Sequence, residues 1–345
     1  MENHFIKNVE FENFKCFKEL KVKELKRVNL IGGKNNIGKT SFMEGLELFL
    51  SSKNSYNLAI NLYKMIRRRQ GNISRERYFE LDFIYSNNSK VDLIIDDNKI
   101  EIEYLEEVPN KVDEFVREEN IFMKYEPSLK LTVNEESFIV PIERISDRPL
   151  MIRRELDSKL SINFISSSTA EEKEIAIYYG RLIDINMEKF LDESLSLFDE
   201  NIIALKQKMT DRDVVLKLQL KNRETPVLLS SLGEGINRYI AILCAIWSSK
   251  NGYLFIDEIE NGIHYTNYEK LWKIILEASK QANCQVFVTS HSKECIEAFN
   301  RVNEEDEGIY LELYKNQKNG LIEAQDIDYK QLSYELTHGG EVRGE

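Results

Sequence analysis

"VNLIGGKNNIGKTSFMEGLELF", residues 28–49, is the stretch on which the reading of this chain turns. A short apolar run stops at paired glycines, a polar loop follows, and Gly-Lys-Thr leads into a segment with apolar residues at helical spacing. Residues 33–40, GKNNIGKT, fit the pattern G-x-x-x-x-G-K-S/T of a loop that cradles phosphate. Gly33 and Gly38 permit backbone angles that turn the N–H groups of the loop, through Asn35, Asn36 and on to Ser41, toward one anion. A helix starting near Lys39 adds its positive N-terminal end. Lys39 is then expected to reach the β- and γ-phosphates of ATP, and the Thr40 hydroxyl to ligate Mg²⁺.

The flanks agree with that reading. RVNLIGG (27–33) has the pattern of a short buried strand, and Phe42, Leu46 and Phe49 lie on one helical face. With 345 residues the chain can bury a large core, and its charged, moderately apolar composition is that of a soluble globular protein. The net charge of −12 means that any contact with nucleic acid must come from a local patch. Cys16, Cys244, Cys284 and Cys295 show no C-x-x-C spacing and read as reduced core residues. The start MENHFIKNVEF lacks the basic and apolar regions of a signal peptide. The longest strongly apolar stretch, YIAILCAIW, is about half of what spans a bilayer. A cytoplasmic protein is expected.

A phosphate loop holds a nucleotide but does not hydrolyse it; hydrolysis needs a metal carboxylate and a group that orients water. GYLFIDEIENG (252–262) is a buried parallel-strand pattern ending in Asp257-Glu258. Asp257 is the candidate for Mg²⁺, and Glu258 for polarising the attacking water. CQVFVTSHSKE (284–294) is a second buried strand, and His291 at its carboxyl end is placed to hydrogen-bond a γ-phosphate. In LLSSLGEGINRYIAILCAIW (228–247), Ser230, Ser231, Gly233 and Gly235 precede a helix apolar nearly all round. That is a second anion-binding helix start, although one nucleotide needs only one.

The order and spacing of these motifs resemble ABC-type ATPase heads of the RecF/SMC group. VEFENFKCFKEL is similar to their first strands, while SSLGEGINR, LFIDEIENGIHY, FVTSHS and the closing GGEVRGE look most like compact prokaryotic AAA/OLD-type ATP-binding proteins. The resemblance implies an α/β fold: a P-loop NTPase ABC-type head with mixed β-sheet, an antiparallel β-layer and an inserted, mostly helical arm. It also implies a head-to-tail homodimer or higher oligomer, in which Ser231, Gly233 and Glu234 form a signature turn covering the γ-phosphate on the other subunit. His264 falls where such heads often have Asp, and Arg238 lies one residue past the usual signature arginine. No glutamine marks a Q-loop, whose region is occupied by INFISSSTAEE (162–172). Adenine contact is assigned to residues such as Phe14 or Phe17, without a choice between ATP and GTP.

Three segments are expected. Residues 1–105 form an N-terminal lobe with the phosphate loop and the strands YFELDFIYS, KVDLIID and KIEIEYL. Residues 106–208 form the inserted arm, with paired helices over 171–208. Residues 209–345 form a C-terminal lobe with signature, Asp-Glu strand and His291. KMIRRRQ, with Arg75 and Arg77, is the best basic patch, read as a solvated helix face or as a site for nucleic acid or an acidic partner. DID (326–328) resembles a Toprim metal pair, but too little chain follows it for that domain. Two functions are thus expected. One is a slow ATPase switching a separate effector, such as a Toprim-type nuclease, in defence against phage or plasmids. The other is a RecF-like head acting on DNA directly, which the acidic balance disfavours. A transporter ATPase is a third, weaker option.

Overall fold

Apolar residues on alternate positions of the same strands feed two different cores, and this sets the layering. The computed structural model describes residues 4–70, 83–85, 88–110, 124–142, 161–167, 172–210, 214–303 and 307–337. A hairpin of β1 (Val9–Phe14) and β2 (Phe17–Val22) leads to β3 (Val28–Gly33), α1 (Lys39–Ser51) and α2 (Ser55–Gln70). Next come β4 (Lys90–Ile95), β5 (Asn98–Asn110), β6 (Lys124–Val133), β7 (Glu136–Pro141) and β8 (Ile162–Ile165). They are followed by α3 (Glu172–Asp184), α4 (Glu188–Phe198), β9 (Ile202–Met209), β10 (Val214–Leu220) and the short β11 (Val227–Leu228). Then come α5 (Glu234–Ser248), β12 (Tyr253–Ile256), α6 (Tyr268–Ala282), β13 (Gln285–Thr289) and α7 (Lys293–Val302). The last described elements are β14 (Gly308–Lys315), β15 (Ile322–Ile327) and α8 (Tyr329–Thr337).

The central sheet has the order β15-β14-β3-β13-β12-β8, parallel throughout except for the antiparallel edge strand β15. Every residue of β3, β12 and β13 is buried, as a parallel sheet covered on both faces requires. Leu30, Leu254, Val286 and Tyr310 face a core shared with α3 to α7. Ile31, Phe255, Phe287 and Leu311 face the opposite core, shared with α1, α2 and the antiparallel sheet β2-β1-β4-β5-β6-β7. On that second face, Phe164, Phe255 and Phe287 stack across three neighbouring strands, with centroids 6.1 and 5.2 Å apart. Arg68 of α2 covers the end of the ladder, 4.1 Å from the Phe164 ring.

Two expectations change. The boundary at 105/106 falls inside β5, and β6 and β7 extend the same antiparallel sheet. β8 joins the central sheet, and α3 packs on α5. The described part of 106–208 is therefore woven into both layers rather than set apart as an arm: β6 and β7 continue the antiparallel sheet by local pairing, and β8 pairs with distant β12. Residues 202–208, expected at the end of a helical pair, lie in β9, which pairs with β10. Arg75, Arg77 and GGEVRGE lie outside the described residues, as does most of YFELDFIYS. The DID segment is explained locally: Asp328 accepts the Gln331 N–H at 2.8 Å and caps the start of α8.

Candidate functional site

β3 ends at the phosphate-loop pattern, and the loop has the backbone the sequence demanded. Gly33 has φ 130° and Gly38 φ 103°, both in the left-handed region. A side chain at Gly33 would meet the Leu313 carbonyl oxygen, and one at Gly38 the Cys16 sulfur. Between them Asn35 and Asn36 are exposed, and Asn36 is itself left-handed at φ 59°. Lys39 begins α1, which has neither a capping side chain nor an acid in its first turn. Its first N–H groups are thus oriented for an anion. Ser41 in that turn is buried.

Lys39 is only 4% exposed and folds back over the loop, donating to the carbonyl oxygens of Gly33 at 2.6 Å and Lys34 at 2.9 Å. Burial pulls its pKa down to about 8, against the opposing pull of the Glu260, Asp257 and Glu258 carboxylates. A triphosphate would offer this ammonium stronger partners than two carbonyls.

Asp257 follows β12 directly, across the sheet from the phosphate loop. Thr40 Oγ1 lies 3.1 and 3.2 Å from its two carboxylate oxygens. Burial raises the Asp257 pKa, while hydrogen bonds from Thr289 and Thr40 oppose the rise. A hard hydroxyl and a hard carboxylate in contact beside a phosphate cradle fit Mg²⁺, which takes few protein ligands and fills its shell with phosphate and water. Thr40 and Asp257 would hold the ion, and the ion would neutralise charge on the β- and γ-oxygens.

Glu258 sits in the left-handed region at φ 48°, a strain of about 1 kcal/mol or more for a residue with a Cβ. Its N–H donates to Thr289 Oγ1 at 2.8 Å, and Asn261 Nδ2 donates to its Oε2 at 2.7 Å. His291 Nε2 lies 3.6 Å from Glu258 Oε1. Both side chains are about one-third exposed, at the mouth of the site. Asp257, Glu258 and His291 are thus brought together with Lys39 and Thr40, as the motifs suggested.

Ser231, Gly233 and Glu234 stand apart from this cluster in one respect: all three are exposed. Ser231 Oγ donates to the Leu228 carbonyl at 2.7 Å, closing a short turn. Gly233 caps α5 without a side-chain hydrogen bond, so the helix start is open. Behind it, a Cβ on Gly235 would lie 2.3 Å from the Gly262 carbonyl oxygen, so the signature helix packs backbone to backbone on the loop after Glu258.

One side chain at the site, Thr289, carries no signal in the sequence, and others take roles the motifs did not assign. Thr289 Oγ1 donates to Asp257 Oδ1 at 2.6 Å while accepting the Glu258 N–H, and so aligns both acids. No local pattern marks Thr289; it reaches Asp257 because β12 pairs in register with β13, Ile256 opposite Val288. Arg238 is 3% exposed, and its guanidinium donates to the carbonyls of Ser166, Asp257 and Glu258. It ties the signature helix to the acidic turn. His264, exposed, pairs Nδ1 with Thr266 Oγ1 at 2.9 Å ahead of a helical turn. Phe14 and Phe17 are corrected. Both are fully buried as cross-strand partners, so neither ring can stack on a base.

A family model described as "AAA domain, putative AbiEii toxin, Type IV TA system" matches residues 28–297, from the start of β3 into α7. An "ATP/GTP phosphatase" of Helicobacter pylori is 24% identical over 330 residues, covering 86% of this chain and 88% of that protein. Among solved structures, the SmcHead bound to the C-winged helix domain of ScpA is 12% identical with a TM-score of 0.52, covering 94% of this chain and 99% of that one. The Smc head domain with an extended coiled coil, bound to the C-terminal domain of ScpA and derived from Pyrococcus furiosus, is 11% identical. Its TM-score is 0.50, with 97% and 99% covered. The fold is that of an ABC-type ATPase head.

Proposed function

This chain belongs to the AAA-domain family whose model spans its residues 28–297, and from that footing we propose an ATP-driven dimer switch. The protein binds Mg-ATP on the phosphate loop and hydrolyses it slowly. Two copies close head to tail around the nucleotide, and the closed state acts on a separate effector protein, a nuclease of the Toprim type, in defence against phage or plasmids. One observation carries the pairing: the site is completed on one side by buried, mutually bonded groups, while the signature turn is exposed and its helix start uncapped. An exposed, uncapped helix N-terminus can receive a phosphate held by a second copy.

Within one subunit, Lys39 would leave the loop carbonyls for the phosphates, and Thr40 and Asp257 would hold Mg²⁺. Glu258 would polarise the attacking water, with His291 at the γ-phosphate. Slow turnover suits a switch, whose output is the occupied state rather than the product. Phe14 and Phe17 are buried and take no part in base contact; the name of the Helicobacter pylori relative supports use of both ATP and GTP.

Direct action on DNA, the RecF-like alternative, loses support at α2. Arg68 is already committed to Glu47, at 2.7 and 2.8 Å, and to the Phe164 ring. The deciding experiment is sedimentation velocity on the Glu258→Gln protein with and without saturating Mg-ATP. A nucleotide-dependent dimer is expected. A monomer under those conditions, with no companion protein restoring pairing, overturns the switch. Tight, salt-dependent DNA binding by the wild type would favour the alternative.

A further inference from the structure

The two residues Glu260 and Asn261, just beyond Glu258 on the same turn, each hold one member of the Glu258–His291 pair. Asn261 Nδ2 has two hydrogens and uses both: one goes to Glu258 Oε2 at 2.7 Å, the other to the Ser167 carbonyl at 3.1 Å. This leaves Glu258 Oε1 facing His291 Nε2. Glu260 Oε1 accepts the main-chain N–H of His291 at 2.6 Å. Its other oxygen is buried and has no hydrogen-bond partner among the described residues. The turn itself is closed by Asn261 N–H to the Glu258 carbonyl and Ile263 N–H to the Glu260 carbonyl, at 3.1 and 3.0 Å.

We propose that Glu260 and Asn261 are positioning residues for nucleotide hydrolysis: Asn261 fixes the Glu258 carboxylate, and Glu260 fixes the main chain that carries His291. The inference rests on the reading of Glu258 as the group that polarises water. The physical need is plain. Glu258 and His291 are both partly exposed and would otherwise sample several rotamers. A carboxylate misplaced by about 1 Å forfeits on the order of 100-fold in rate. The Asn261 donor holds the Glu258 carboxylate in one rotamer, and the Glu260 acceptor fixes the main chain from which His291 projects. Both anchors stand on a single turn, so the pair moves as a unit. Ser167, the far end of the Asn261 bridge, follows β8, so the strand neighbouring β12 is held to the same unit.

The chemistry of the two positions differs, and that difference makes the test specific. Position 261 must donate, and position 260 must accept. Asn261→Asp is nearly isosteric but puts an acceptor against a carboxylate and a carbonyl. Steady-state hydrolysis and equilibrium nucleotide binding should be measured on Asn261→Asp, Glu260→Ala and Glu260→Gln, beside wild type and Glu258→Gln. Asn261→Asp should lose about 30-fold or more in kcat, and Glu260→Ala about tenfold, with Kd for Mg-ATP within about threefold of wild type. Glu260→Gln should stay within about threefold in kcat, because its amide oxygen accepts the same N–H. Normal kcat in Asn261→Asp or Glu260→Ala overturns the proposal, and so does equal loss in Glu260→Gln and Glu260→Ala. Loss of nucleotide binding in parallel with kcat would reduce both residues to structural staples and also overturns it. If Glu258→Gln itself turns over at the wild-type rate, the reading of Glu258 fails and the positioning role falls with it. A slow Glu258→Gln beside a normal Asn261→Asp sinks the positioning role alone.

Discussion

The phosphate-loop side of the site and the signature turn are built on opposite principles. On the first side, Lys39 and Asp257 are nearly inaccessible, and Thr40, Thr289, Glu258 and Asn261 are joined by side-chain hydrogen bonds. On the second, Ser231, Gly233 and Glu234 are exposed, and the Ser231 hydroxyl bonds within its own turn. Groups that must stabilise charge as it develops are fixed in advance by their neighbours. A surface that must meet a second molecule has to remain open until it does. On the proposed reading, one copy builds the binding and hydrolysis geometry, and the second copy supplies the cap. Arg238 joins the two regions, since it stands on the signature helix and grips the acidic turn.

The contrast can be broken most severely at Lys39. Lys39→Ala removes the charge that meets the β- and γ-phosphates, and Mg-ATP affinity should fall about 100-fold or more in calorimetry. Unchanged affinity would mean that the buried side is not the binding side. Glu258→Gln should keep binding but slow phosphate release by about 100-fold, equivalent to about 3 kcal/mol in the barrier. Full activity there would hand the water to another residue. Ser231→Arg acts on the open region alone: nucleotide binding by the monomer should be preserved, while ATP-dependent dimers vanish in sedimentation. Loss of binding in that variant would erase the distinction between the two regions.

The smallest effect sharpens the contrast through pH. Burial holds the Lys39 pKa at about 8 in the empty site, and phosphate at the ammonium raises it again. Below that value the lysine is already charged, so binding takes up no proton from it. Above it the empty lysine is neutral, so binding takes up one proton and affinity falls as pH rises, by at most about tenfold per pH unit. Calorimetry in buffers of different ionisation enthalpy reads the proton directly. Signature variants such as Ser231→Arg should leave this dependence as it is.

The helices and strands around the motifs were legible because each is announced locally. The strand RVNLIGG and the buried helix after SSLGEG both lie where apolar runs and turn residues indicated. Phe14 and Phe17 misled because an aromatic near a phosphate loop invites a role with the base. Asn13 and Lys15 are left-handed, the hairpin closes tightly, and both rings fall on the core face of paired strands. Residues 106–208 misled because short strands such as LKLTV and SFIVPI carry no record of their partners. β6 and β7 prolong a sheet that begins at the N-terminal hairpin.

What the sequence determined alone is the phosphate loop and the acids after β12, because glycine torsions, a helix start and a buried strand end are properties of a few consecutive residues. What only the tertiary structure decided is which groups meet those acids. Thr289, His291, Arg238 and Ser167 reach the turn at 257–261 through parallel strand register and through one helix packed across the sheet. Register between strands dozens of residues apart is chosen by the packing of both cores together, and no local pattern carries that information.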